Sequence, residues 1–302
     1  MSEVLLHAKE VSIQFGGLKA LSNFNLEIRQ GDLKGLIGPN GAGKTTAFNV
    51  LTGVYAPSSG DIFVCSERVN GKSPHQINRL GLARTFQNIR LFRALTAIDN
   101  VRVACHSEYT GLVSPDRLRT LRTKGALANG IANMLEAADN YRDWWRALLL
   151  TPGFLREEEE ITRRAEQLLS VMSLSHRRDE EARNLPYGEQ RRLEIARALA
   201  TRPRVLLLDE PAAGMNTREK ADLMLLIRQL RDQFSLGILV IEHDMKLVMG
   251  ICEQITVLDH GETIARGSPE QVRTDRKVVE AYLGDSYLEA HGGLQSSSEA
   301  AP

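Results

Sequence analysis

Eight consecutive residues, Gly38-Pro39-Asn40-Gly41-Ala42-Gly43-Lys44-Thr45, fit the pattern G-x-x-x-x-G-K-[ST] and are followed by a second hydroxyl, Thr46. The chemistry this spacing serves is the holding of a polyphosphate. Residues without a Cβ let successive backbone N–H groups converge on phosphate oxygens, and a helix beginning at the lysine adds the partial positive charge of its N-terminus. Lys44 then stands where it neutralises β- and γ-phosphates, and the Thr45 hydroxyl stands where it ligates Mg²⁺. The bland alternative is a Gly-rich turn with an exposed lysine. It lacks the flanks found here, an apolar run over Leu33–Gly38 and a helical pattern over Thr45–Leu51.

A second run, Val205-Leu206-Leu207-Leu208-Asp209-Glu210, is an apolar strand ending in two carboxylates. Many buried strands end this way, so alone it says little. Behind a phosphate loop the pair has a use. Asp209 can hold Mg²⁺ through water, and Glu210 can polarise the water that attacks the γ-phosphate. The competing reading makes Glu210 a cap on the following turn. His243, after the strand Ile238–Glu242, and Gln87, ending the short strand Leu82–Gln87, are weaker still. A lone histidine is more often a structural group, and a lone glutamine a surface amide; only their order along the chain raises them.

Elements must bring these distant residues together. Leu206–Asp209, Ile238–His243 and Gln254–Leu258 are apolar strand runs separated by helical patterns, as in a parallel sheet. Val11–Phe15, Phe24–Arg29 and Asp61–Cys65 read as further strands. Ser73 with Gln76, Thr96 with Asp99, Asn216 with Glu219 and Ser268 with Gln271 carry capping spacings that predict helix starts. From Asn88 to Asn184 helix formers dominate, predicting a helical subdomain inserted in the sheet. Within it 109–160 carries no readable motif. Its Trp144-Trp145 pair is expected to pack between helices, and Glu157–Glu160 to be a solvated helix face.

Composition narrows the classes. The 302 residues suffice for a large core, and 42% hydrophobic with 25% charged is ordinary for a globular chain. Lys plus Arg and Asp plus Glu are both 38, so there is none of the basic excess that bulk nucleic-acid binding needs. Cys65, Cys105 and Cys252 are dispersed, which fits neither a disulfide framework nor a zinc site and suits a reducing compartment. No leader pattern opens the chain, and no apolar run approaches the roughly 18–20 residues of a membrane span. Action at a membrane would therefore need a partner to supply the span.

Taken in order, the phosphate loop, Gln87, Leu185-Pro186-Tyr187-Gly188-Glu189-Gln190, Leu206-Leu207-Leu208-Asp209-Glu210-Pro211 and His243 resemble the ATP-binding-cassette (ABC) ATPases. Leu185–Gln190 looks like that family's signature segment, and 191–199 like its helix. Phe15-Gly16-Gly17-Leu18, Arg84-Thr85-Phe86-Gln87, Tyr187-Gly188, Ala212-Ala213-Gly214, 241–250 and Ala281-Tyr282-Leu283-Gly284 narrow the likeness to the ATP-binding subunits of branched-chain amino acid importers. The resemblance runs from Leu6 to Gly284 apart from 109–160. Two residues depart from the usual signature. Pro186 replaces a hydroxyl or other small residue, and Glu189 puts a carboxylate where glutamine is common.

The resemblance implies an α/β fold, a P-loop NTPase core with a mixed sheet, an antiparallel β subdomain and an inserted helical subdomain. It implies one ATPase domain over 1–284, with the helical subdomain at about 88–184, an extra insertion at about 109–160, and a disordered tail at 285–302. ATP and Mg²⁺ are the implied cofactors, Mg²⁺ falling to Thr45, Gln87 and Asp209. Glu210, His243 and Gln87 would be catalytic, Phe15 would stack on adenine, and Gly188 would reach the nucleotide of a partner in trans. The implied assembly is a pair of ATPase subunits (with a second subunit or with itself) on two integral-membrane permease subunits. It would sit at the cytoplasmic face of the inner membrane, with an extracellular or periplasmic binding protein delivering substrate. Urea import, lipopolysaccharide export, a soluble non-transport ATPase and a binding-only module remain open alternatives.

Overall fold

Val205 and Leu207 face one side of their strand, Leu206 and Leu208 the other, and all four are buried. The strand must therefore be covered on both faces, the condition of a parallel sheet between layers. In the computed structural model, which describes residues 3–109 and 152–283, this is what happens. Most of the 109–160 segment, with its tryptophan pair, and the 285–302 tail lie outside those residues.

The described elements in chain order are β1 (Val4–Phe15), β2 (Leu18–Arg29), β3 (Leu33–Ile37), α1 (Lys44–Leu51), β4 (Ser59–Val64), β5 (Glu67–Arg68), α2 (Pro74–Arg79), β6 (Leu82–Arg84), α3 (Ala97–Tyr109) and α4 (Pro152–Val171). There follow α5 (Tyr187–Ala200), β7 (Val205–Asp209), α6 (Thr217–Phe234), β8 (Gly237–Ile241), α7 (Met245–Ile251), β9 (Gln254–Asp259), β10 (Glu262–Gly267), α8 (Pro269–Thr274) and α9 (Arg276–Leu283). The central six-stranded sheet has the order β10-β9-β3-β8-β7-β6. Its members from β9 to β6 pair in parallel, and β10 closes one edge antiparallel, which makes the sheet mixed.

Odd and even strand positions feed two cores. Leu36, Val205, Leu207, Leu239, Ile241 and Leu258 pack with α1 and with the separate four-stranded antiparallel sheet β2-β1-β4-β5. Leu206, Leu208, Ile238, Val240, Ile255 and Val257 pack on the other face with the helices that include α3, α4, α5 and α6. The helical region between β6 and β7 thus shares a core with the sheet rather than standing apart from it. The expected α/β architecture, with its antiparallel layer and helical region, is the one observed.

Three local readings need correction. β1 and β2 are each 12 residues long, at least twice the expected stretches. Register shifts near Ala8/Val11 and left-handed Glu10 (φ 51°) and Asn23 (φ 48°) interrupt their alternation, and bulges of this kind hide a long strand from a period-two reading. β6 ends at Arg84, so Gln87 lies in the turn beyond it. The acidic run is not all solvated, since Glu158 accepts a hydrogen bond from Arg102 at 2.8 Å and lies 3.2 Å from His106. The cap readings hold. Asn216 Oδ1 accepts from Glu219 N–H while the Glu219 carboxylate accepts from Asn216 N–H, and Ser268 and Gln271 do the same. Gln76 Oε1 accepts from Ser73 N–H, and Thr96 Oγ1 accepts from Asp99 N–H.

Candidate functional site

Parallel pairing aligns the C-terminal ends of β3, β8 and β7, for Leu36 registers with Ile241 and Ile241 with Asp209. Clefts at such strand ends are where open α/β sheets hold ligands. The segment after β3 is the phosphate loop. Its Gly38 is forced, because a Cβ there would lie 2.1 Å from the Leu258 carbonyl oxygen on the neighbouring strand. Gly43 (φ 96°) caps α1 without any side-chain hydrogen bond, leaving the N–H groups of the first turn for a ligand. Thr45 and Asn40 are exposed, while Thr46 and Pro39 are half-buried. Lys44 is buried and donates from Nζ to the carbonyls of Gly38 (2.7 Å) and Pro39 (2.8 Å). Burial lowers its pKa, and the Glu210 and Asp209 carboxylates oppose that shift. The loop therefore holds an ammonium group whose partners are neutral carbonyls, which phosphate oxygens outbid.

Asp209 ends β7 and is 7% exposed. Desolvation pushes its carboxyl from 3.8 up to about 6, with Glu210 and Glu242 adding to the shift and Arg84 and Arg191 opposing it. Glu210 is the next residue and takes a left-handed backbone (φ 43°), its N–H bonded to the Ile241 carbonyl at 2.8 Å. An L-residue held there is costly, and such positions concentrate at working sites. Gln87 Nε2 donates to Glu210 Oε2 at 2.9 Å. His243 Nδ1 lies 3.7 Å from Glu210 Oε1, outside direct hydrogen-bond reach but on the same carboxylate. Glu210 is thus no turn cap. Its side chain faces the group contributed by the ends of β6 and β8.

The raised Asp209 pKa carries a stability prediction. The folded chain holds this proton up to about pH 6, whereas the unfolded chain releases it near 3.8. Stability contributed by Asp209 is therefore present below the lower value and lost as pH rises through the window, remaining absent above it. Asp209→Asn should raise the thermal midpoint of the ligand-free chain at pH 7.5 by a few degrees, the order of shift expected when a buried charge is removed. The gain should vanish near pH 4, and Mg²⁺-dependent turnover should be lost. Melting curves at both pH values check this.

A divalent ion fits this donor set. Asp209 is a carboxyl crowded by two other carboxylates, and the Thr45 hydroxyl is exposed beside the loop. Such hard oxygen donors, few in number, suit Mg²⁺ that keeps waters and substrate phosphates as its remaining ligands.

The other predicted residues lie apart from this group. Phe15 ends β1, is 45% exposed, and meets Tyr55 edge to face at 5.2 Å between ring centres. Gly188 lies in the first turn of α5, where a Cβ would sit 3.2 Å from Glu219 Oε1. Pro186 is the N-cap of that helix (φ −54°, ψ 151°), and its carbonyl accepts from Gln190 N–H at 2.9 Å. The cap position demands no N–H donor, so proline fits without cost to the helix. Glu189 is not a free carboxylate. Arg177 Nε donates to it at 3.0 Å, and His176 Nε2 lies 3.7 Å away.

Sequence reasoning missed three charged residues. Glu242, 1% exposed, accepts from Ala212 N–H at 2.8 Å and so fixes the turn after Glu210. Arg191 (0% exposed) and Glu194 (3%) form a buried ion pair on α5. No local pattern marks them, since their partners include the backbone of residues 86–90, about a hundred residues earlier in the chain.

A phosphate loop on this mixed sheet, with a strand-end carboxylate pair facing Gln87 and His243, defines an ATP-binding cassette. The chain matches the ABC transporter family over residues 21–213 and the branched-chain amino acid ATP-binding cassette transporter family over residues 262–287. It belongs to the ABC transporter ATPases, of the branched-chain amino acid type. It is 43% identical over 287 residues to the high-affinity branched-chain amino acid transport ATP-binding protein LivG of Escherichia coli K12, covering 95% of this chain and all of that one. The corresponding protein BraF of Pseudomonas aeruginosa is 42% identical over 286 residues, again 95% of this chain and all of its own. A crystal structure of the ADP conformation of an ABC-transporter ATP-binding cassette superposes with a TM-score of 0.73 at 28% identity, covering 94% of this chain and 100% of that one.

Proposed function

We propose that this ATPase powers uptake of branched-chain amino acids, acting from the cytoplasmic face of a membrane through separate permease subunits. The observation that carries the motor chemistry is the meeting of Lys44, Asp209, Glu210, Gln87 and His243 around the ends of the parallel strands. Full-length likeness to LivG and BraF supports the cargo. Among the described residues no helix is long and apolar enough to cross a membrane, so the span falls to partners.

In this reading, the backbone N–H groups of Asn40–Thr46 and the Lys44 ammonium hold the β- and γ-phosphates, and Phe15 stacks on the adenine. Thr45, Asp209 and Gln87 would hold Mg²⁺, which when bound neutralises charge on the phosphate oxygens. Glu210 orients the attacking water and withdraws its proton, while His243 and Gln87 fix the carboxylate and contact the γ-phosphate side. Gly188 and its helix start reach the nucleotide held by a second ATPase subunit, so that each site closes between two chains. Closure on ATP and opening after hydrolysis move the two permease subunits, to which a substrate-binding protein delivers the amino acid.

Restoring the chain to cells lacking their own importer ATPase should restore accumulation of labelled leucine. The Glu210→Gln chain should not. Active ATPase without leucine uptake would assign the motor to a different cargo.

Glu189 carries a second expectation. Its carboxylate would face the partner's triphosphate, and Arg177 holds and neutralises it. Arg177→Ala should raise the KM for ATP of the assembled transporter by about threefold to tenfold at low salt, shrinking as salt screens the pair. An unchanged KM at low ionic strength contradicts this role.

A further inference from the structure

The Arg191–Glu194 pair ties together three segments that carry the site residues: α5, the Gln87 turn and Glu210. Both side chains leave helix α5, the helix that starts at the signature segment. Glu194 Oε1 accepts from the N–H groups of Phe86 and Arg90, each at 3.3 Å, on either side of Gln87. Arg191 Nη1 donates to Glu194 Oε2 at 2.7 Å and to the Phe86 carbonyl at 2.6 Å. Its Nη2 donates to the Gln87 carbonyl at 2.8 Å and reaches the Glu210 carbonyl at 3.4 Å. One guanidinium therefore spans the backbones of Gln87 and Glu210, the two residues whose side chains meet at 2.9 Å.

Stability alone does not ask for this arrangement. Two buried opposite charges are often replaced by apolar groups of similar volume without loss, because desolvation offsets their attraction. What apolar groups cannot do is hold a backbone at a fixed distance and angle, whereas a planar fork of donors can.

We propose that Arg191 and Glu194 are positioning residues that lock the signature helix, the Gln87 turn and Glu210 into one register. The inference rests on the proposed role of Glu210.

The test compares wild type, Arg191→Lys, the volume-matched double variant Arg191→Met/Glu194→Met, and Glu210→Gln, all as full-length chains assembled with their transporter partners. ATP affinity, thermal midpoint, KM and kcat are measured on each. Arg191→Lys and the double variant should bind ATP within about twofold of wild type, while kcat falls about 10²-fold at nearly constant KM, the scale of a misplaced catalytic group. Lysine, a point charge, cannot span three carbonyls, so it should not rescue. A folded double variant, or a folded Arg191→Lys if the double variant does not fold, that turns over within threefold of wild type overturns the proposal, and so does a loss that follows ATP affinity. If Glu210→Gln itself hydrolyses normally, the reading of the site fails instead.

Discussion

Replacing Glu210 with glutamine should leave ATP bound and lower turnover by roughly 10²–10⁴-fold, the scale of a positioned general base. The amide keeps the shape and loses the proton acceptor. Two observations make the effect large. The Glu210 backbone is held in a left-handed conformation by its N–H bond to Ile241, so the side chain has little freedom to be replaced by a neighbour. Gln87 donates to one carboxylate oxygen, and His243 stands beside the other. Single-turnover hydrolysis with pre-bound ATP separates chemistry from binding. Hydrolysis at the wild-type rate would remove Glu210 from the mechanism.

The second large effect falls on binding. Lys44→Ala should weaken ATP by about 10²–10³-fold, as expected for losing charge-assisted hydrogen bonds to two phosphates. The loss reaches beyond one contact. Lys44 is the cation that faces Asp209 and Glu210 from the phosphate loop, so its removal leaves those carboxylates confronting a triphosphate. The fold should survive, because Nζ bonds only to the carbonyls of Gly38 and Pro39 while Ala47 and Phe48 anchor α1 in the core. Equilibrium binding of ATP, followed alongside a thermal melt, checks both halves. Undiminished affinity would mean that the loop holds no phosphate.

What could be read from the chain alone follows physical lines. The phosphate loop was legible because its spacing is imposed by backbone geometry, with Gly38 wedged against Leu258 and no larger residue admissible. Asp209 and Glu210 were legible because a fully apolar strand leads into them. Helix starts at Ser73, Thr96, Asn216 and Ser268 were legible because cap chemistry is local. Glu242 and the Arg191–Glu194 pair were not, because their partners are backbone groups of Ala212, Phe86, Gln87 and Arg90, far away in sequence. Nothing in local pattern says that a charge on a helix will be buried against a distant turn. The pairing of Glu189 was hidden in the same way, its Arg177 partner sitting on a separate 3₁₀ turn. The long strands β1 and β2 were cut short because Glu10 and Asn23 break the alternation that identifies a strand.

The most direct test of the central claim measures Mg²⁺-dependent ATP hydrolysis by this chain alone and then assembled with its partner ATPase and permease subunits in membranes. Substrate-loaded binding protein is added to the second sample. The account predicts low hydrolysis alone, a clear rise on assembly, a further rise with loaded binding protein, and loss of all of it in Glu210→Gln. Hydrolysis that ignores assembly and cargo, or that persists in Glu210→Gln, would contradict a transport motor working through this site.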